Sequence, residues 1–141
     1  MKHPKIVIDT NVLVSALNSN IGASFKVLME IGSGLYDSAV SVPLVLEYED
    51  VTKRLGRKLK ISKEAAENII DYICLVSEKT RIFYLWRPYL KDPKDDMVLE
   101  LAVSAQCSHI ITYNVKDFKG TDKFGIAVMT PKEFLKQLGE I

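Results

Sequence analysis

The chain has 141 residues, 48% of them hydrophobic and 26% charged, the proportions of a globular domain able to bury a core unaided; a disulfide scaffold, a collagen-like repeat and a disordered tail are excluded. Net charge is +1, which alone argues neither for nor against a nucleic-acid partner. The apolar stretch near the N-terminus is broken by Asp9, Asn11 and Ser15, so neither a signal-peptide core nor a membrane span is expected, and one cytoplasmic domain spanning residues 1–141 is the expectation.

Residues 5–8 form a short β-branched run closed by Asp9, after which Val12, Leu13, Ala16 and Leu17 recur at helical spacing. The pattern predicts a strand and then a helix. A second helix is expected over 23–31, ended by Gly32 and Gly34, and a second strand over 35–42. Pro43 suits the first turn of a third helix that runs to about Leu55 and stops at Gly56. Residues 52–63 hold six of the 19 basic side chains and none of the 18 acidic ones. That run reads equally as a solvated helix end complementing the macrodipole or as a phosphate-contacting patch.

Ser62 is placed to cap a fourth helix whose apolar face is Ala65, Ala66, Ile69, Ile70, Ile73 and Cys74. A third strand is expected over 80–85, a loop over 87–93, a Leu- and Ala-rich helix over 95–106 and a fourth strand over 109–112. Residues 126–129 read as the last strand, and Thr130-Pro131-Lys132-Glu133 as a capping box opening a short closing helix. Alternating strands and helices predict an α/β domain with a mainly parallel sheet covered on both faces. The two cysteines, Cys74 and Cys107, read as buried free thiols, and no Cys or His stands at zinc-ligand spacing near His3 or His109.

In a parallel sheet the segments that follow the strands gather at the carboxyl edge, where α/β sites usually lie. Asp9 ends the first strand, Glu47 lies about one turn into the helix after the second, Asp95 opens the helix after the third, and Asn114 and Asp117 follow the fourth. Asp95 precedes Val98, Leu99 and Ala102 by three, four and seven residues and so lines up with the buried face. Asp96 lines up with Glu100 instead and is expected to be more exposed. Singly, each acid has a structural explanation: Asp9 and Asp92 as helix caps, Asp95 as first-turn charge, Glu47 as surface charge, Asp117 as a turn anchor. Together, four carboxylates converging without a matching Arg or Lys repel and raise one another's pKa. A positive group belongs among them. Carboxylates with an Asn carbonyl suit a hard cation, Mg²⁺ or Mn²⁺, better than zinc. With no histidine base nearby, phosphodiester hydrolysis assisted by that metal is the chemistry predicted.

The ordered set Asp9-Thr10-Asn11-Val12-Leu13, Glu47, Asp92-Pro93-Lys94-Asp95 and Thr112-Tyr113-Asn114-Val115-Lys116-Asp117-Phe118 resembles the PIN-domain ribonucleases, and among them the prokaryotic VapC-like toxin components of toxin–antitoxin systems. The likeness extends to the closing 128–135 segment and covers nearly the whole chain. It implies a three-layer α/β/α sandwich around a parallel sheet and a Mg²⁺- or Mn²⁺-dependent endoribonuclease. Asp9, Glu47, Asp95 and Asp117 take the acidic catalytic roles, with Asp9, Asp95 and Asp117 as metal ligands. Thr10, Asn11 and Asn114 are supporting polar groups, joined by Asp92 and Thr112 of the same motifs. A homodimer and a small antitoxin partner are further implications. One position departs from the pattern: many relatives carry Asp where Asn114 stands, so an oxygen ligand is kept and a charge lost.

An RNA substrate is repelled by a carboxylate-lined pocket unless basic groups compensate, and Lys53, Arg54, Arg57 and Lys58 are the candidates. Trp86, with Tyr89, is the candidate for stacking on bases. Two other readings compete: a PIN-like domain that binds RNA or protein without cutting, and a receiver-like Mg²⁺-binding signalling module, for which the paired acids expected after the first strand are missing.

Overall fold

A computed structural model of the chain describes residues 3–82, Leu90 and residues 92–141. Strands β1 (Lys5–Ile8), β2 (Asp37–Val40), β3 (Glu78–Lys79), β4 (His109–Ile111) and β5 (Ala127–Met129) pair in parallel throughout, in the order β3-β2-β1-β4-β5. Ile6, Val7 and Ile8 of β1 are all buried, as a central strand covered on both faces requires. Its register pairs Ile8 with Ile111 of β4.

The helices are α1 (Thr10–Asn18), α2 (Ala23–Met29), α3 (Val42–Leu55), α4 (Lys63–Val76), α5 (Pro93–Ser104) and α6 (Pro131–Gln137). Their starts follow the capping chemistry: Ser41 accepts from Leu44 N, Ser62 from Ala65 N and Asp92 from Lys94 N, and Thr130 forms the reciprocal box with Glu133. The steps from β1 to β2 and from β2 to β3 move outward in one direction, and the step from β3 to β4 returns across the sheet. Right-handed crossovers therefore put α1 to α4 on one face and α5 on the other. In the packing α1 lies against α2 and α3, α3 against α4, α6 against α2, and α5 against β1, β2 and β4, while α3 and α5 meet where Lys94 reaches Glu47. These are the three layers that the sequence predicts. Among the described residues, no single helix is long and apolar enough to cross a membrane.

Two expectations fail. The third strand lies at Glu78–Lys79, ahead of the predicted 80–85; residues 80–82 are not strand, and 83–85 lie outside the described residues. An edge strand can be short and polar, and both strand residues here are exposed, so a search for apolar runs passes over it. Asp96, expected to be more exposed than Asp95, is only 1% exposed, as is Glu100, with which it lines up. Helix α5 is buried from Asp96 through Ala102 and has no solvent stripe, so alignment with an acidic neighbour carries no information about exposure. The Asp96 carboxylate instead accepts the Leu90 N–H at 2.7 Å, tying down the chain just before α5.

Strand order reverses between β1 and β4, whose onward connections leave to opposite sides. At such a switch point the chain opens a crevice beyond the carboxyl ends of the strands.

Candidate active site

Asp9 stands at the mouth of that crevice. It follows Ile8, its N–H donates to Ile111 O of the neighbouring strand at 3.0 Å, and its extended backbone turns the chain into α1. Both carboxylate oxygens are engaged: Oδ1 accepts from Thr10 N at 2.8 Å and Oδ2 from the Thr112 hydroxyl at 2.8 Å. The same hydroxyl accepts from Asn11 Nδ2 at 3.2 Å and from Asn114 N at 3.0 Å. Thr112 Oγ1 thus uses its one proton and both lone pairs, which fixes its orientation. Asn11 completes the bridge by accepting from Tyr113 N at 3.2 Å.

Glu47 arrives from α3. The next residue, Tyr48, is buried and donates its hydroxyl to Ile8 O, which clamps α3 against the end of β1. The Glu47 side chain is only 15% exposed and has Lys94 Nζ at 3.6 Å and Arg54 Nη2 at 4.0 Å. The expectation that no cation accompanies the acids therefore fails at this one position. Asp95 lies in the first turn of α5, and Asp117 is exposed in the 3-10 turn Val115–Phe118.

The remaining acids sense each other strongly. Burial raises the Asp9 carboxyl above its ordinary range; the Thr112 and Thr10 hydrogen bonds oppose this, while Glu47 and Asp117 add to it. Asp95 is pushed up to about 7, first by burial, then by Asp9, and then by Asp92, Asp117 and Asp96. Asp9 thus feels Glu47 and Asp117, and Asp95 feels Asp9 and Asp117, across separate segments of the chain. Among the described residues, no ion pair reaches Asp9, Asp95 or Asp117, and no three acidic, imidazole or thiol groups are gathered into a metal cage.

A PIN-domain family profile matches residues 5–116. The chain belongs to the PIN-domain family. No curated protein matches it. Among solved structures, VapBC2 from Rickettsia felis, bound to a DNA fragment from their promoter, superposes with a TM-score of 0.59 over 88% of this chain and 96% of that one, at 13% identity. That likeness is one of fold. The sheet order β3-β2-β1-β4-β5 also differs from the 2-1-3-4-5 order of receiver-like domains, so the signalling reading is set aside.

Elsewhere on the PIN domain the predicted residues separate. Arg54 reaches the site through Glu47 and also pairs with Asp50 at 3.0 Å. Lys53 and Arg57 instead line, with Lys63, a cavity of about 750 Å³ beside α3 and α4 that Glu49, Glu67 and Asp71 also face. Lys58 is exposed, and Trp86 and Tyr89 lie outside the described residues. Asp92 caps α5 and adds to the upward push on the Asp95 carboxyl. Sequence reasoning missed Tyr48 and Lys94. Tyr48 could have been found, because it stands four residues after buried Leu44 on the inner face of α3.

Proposed function

We propose that this PIN domain is a Mg²⁺- or Mn²⁺-dependent endoribonuclease of the toxin type, working in the cytoplasm. The observation that carries the reading is the placement of the Asp9 and Asp95 carboxylates, which come from distant segments: Asp9 adds to the burial that raises Asp95, and among the described residues no ion pair reaches either. Capping accounts for Asp9 at the start of α1 and not for a second carboxylate in α5 that feels it, and a bound divalent cation would relieve that repulsion.

The residues fit such an ion. The donor set is all oxygen, which suits a hard cation, and Mg²⁺ takes few carboxylates and keeps several waters, so it does not require a closed cage of protein ligands. Asp9, Asp95 and Asp117 would hold it, and Asn114 offers a carbonyl oxygen where relatives have a charge. When bound, the ion supplies an acidified water and offsets charge on a phosphodiester oxygen.

The chain's own groups prepare that chemistry. Thr10 N and Thr112 Oγ1 lock the Asp9 carboxylate in one orientation. Asn11 and Asn114 fix Thr112 in turn, so a hydroxyl without catalytic chemistry sets where the first acid points. Tyr48 holds the helix that carries Glu47. Lys94 and Arg54, each more than half exposed, put positive charge at the rim where the phosphates of an RNA strand would pass.

The toxin-type assignment rests on the motif set and on the fold shared with the VapBC2 structure, and it brings with it a small antitoxin partner and a homodimer. The test is cleavage of single-stranded RNA by purified protein in Mg²⁺ or Mn²⁺. Activity should vanish in EDTA and fall by about 10²–10³-fold in Asp9→Asn and in Asp95→Asn. Cleavage undiminished by both substitutions overturns the site. RNA binding with no cleavage across varied sequences and both metals would establish the non-cutting reading.

A further inference from the structure

Tyr113 immediately follows the Thr112 hub and is 45% exposed, yet it is tethered at both ends. Its N–H donates to Asn11 Oδ1 at 3.2 Å, and its phenol oxygen shares a hydrogen bond of 2.5 Å with Ser24 Oγ. Ser24 is itself buried, in the first turn of α2. The ring therefore bridges the end of β4 and the start of α2, one residue from the hydroxyl that holds Asp9.

A large, half-exposed ring held in a single orientation beside a catalytic crevice has met its ordering cost during folding and loses little more on binding. The crevice needs such a contact: its carboxylates repel a polyanion, so affinity next to them is best supplied by an interaction that does not depend on charge. Unstacked bases of single-stranded RNA meet that need by lying on aromatic rings.

We propose that Tyr113 is a stacking platform for the nucleobase adjacent to the bond cut. The proposal rests on the ribonuclease reading and deepens it, specifying an unpaired strand with a base splayed out beside the site. Because every base has a π-face, the platform imposes little sequence preference of its own.

The test is binding of a short, fluorescein-labelled single-stranded RNA, read by anisotropy over a range of salt concentrations in Mg²⁺, with Asp95→Asn protein to keep the strand intact. Adding Tyr113→Ala should weaken binding about tenfold and leave the dependence on salt unchanged, since no phosphate contact is lost. Adding Tyr113→Phe, which keeps the ring and loses the Ser24 bond, should stay within about threefold of the parent. An abasic substitution walked along the RNA should cost the parent about tenfold at one position and cost the Tyr113→Ala protein nothing further there.

Retention of parental affinity by Tyr113→Ala, or equal loss in Phe and Ala variants, overturns the platform and leaves the nuclease reading intact. A parent that binds no RNA overturns both. Should Tyr113→Ala fail to fold, the abasic walk on the parent decides, and a flat profile overturns the proposal.

Discussion

Strands β1 and β4 carry a polar network at each end, and the two networks are built on opposite principles. At the amino edge every partner is complementary. Lys5 Nζ donates to Ala105 O at 3.0 Å and pairs with Glu78, and the His109 ring lies between Ser108 Oγ at 2.7 Å and Gln137 Oε1 at 2.9 Å. At the carboxyl edge, a few residues along the same strands, burial raises the proton affinity of both Asp9 and Asp95, with Glu47 and Asp117 adding to it at Asp9 and Asp9 adding to it at Asp95. Local conflict that a fold keeps is expected where function lies. One end of the strand pair is settled for stability, and the other is left wanting a cation.

The largest effect that can test this contrast is at Asp95. Asp95→Asn preserves the shape and removes one of the repelling charges. It should lower RNA cleavage by about 10²–10³-fold, while the melting temperature in EDTA rises above that of the parent. Mg²⁺ should raise the melting temperature of the parent and shift the variant less, because a ligand stabilises only the state that binds it. A variant that melts lower than the parent in EDTA would show that the crevice is not under electrostatic strain.

The next effect isolates orientation from charge. Thr112→Val leaves all four acids in place and deletes the hydroxyl that donates to Asp9 and accepts from Asn11 and Asn114. Losses of about 10–100-fold in activity or metal affinity are expected, the scale seen for groups that aim a ligand. Metal titration monitored by thermal shift separates the two: a hydroxyl that only packs would change stability and leave the midpoint of the titration unmoved.

How far the sequence could be read follows the same contrast. Asp9, Asp95 and Asp117 could be placed at the carboxyl edge because a parallel sheet turns chain position into geometry, and the helix-start signals at Pro43, Ser62 and Thr130 are local chemistry that any context preserves. The inner-face position of Tyr48 follows from its spacing to Leu44, but the partner of its hydroxyl and the burial of Asp96 are not legible in this way. The Tyr48 hydroxyl bonds a backbone carbonyl 40 residues away in sequence, and Asp96 is buried because α5 is enclosed on all sides from Asp96 to Ala102. Both depend on which elements meet, and periodicity does not encode that. The edge strand Glu78–Lys79 escapes for a third reason: its pairing comes from its position after α4, with no apolar pattern of its own.

At the amino edge the expected changes are smaller and fall on stability alone. The His109 imidazole is held below its ordinary value of 6.5 by burial, against the Gln137 hydrogen bond, which works in the other direction. On acidification the unfolded chain therefore takes up this proton first. Stability should be flat above the ordinary histidine range and fall as pH drops through 6.5. His109→Leu should remove that component and cost about 1–2 kcal/mol through the two lost hydrogen bonds, read from urea midpoints at neutral pH, with RNA cleavage unchanged. A loss of cleavage would mean that the two ends of the strands are coupled.

The smallest change tests whether the amino edge is as fully settled as it looks. Helix α5 ends with Cys107 N bonded to Ala102 O at 2.8 Å and Gln106 N to Val103 O at 3.1 Å, a closure that puts Gln106 in the left-handed region at φ 57°, where glycine is ordinarily preferred. A side chain there crowds its own backbone, whereas glycine avoids the clash at the expense of extra freedom in the unfolded chain. The first effect is the larger in this conformation, so Gln106→Gly should stabilise the protein by up to about 1 kcal/mol. Hydrogen exchange at the last turn of α5 should slow in proportion, and cleavage should be untouched. A destabilised variant would show that the Gln106 side chain contributes a contact outweighing its strain, which would make this edge depend on packing as well as on hydrogen bonds.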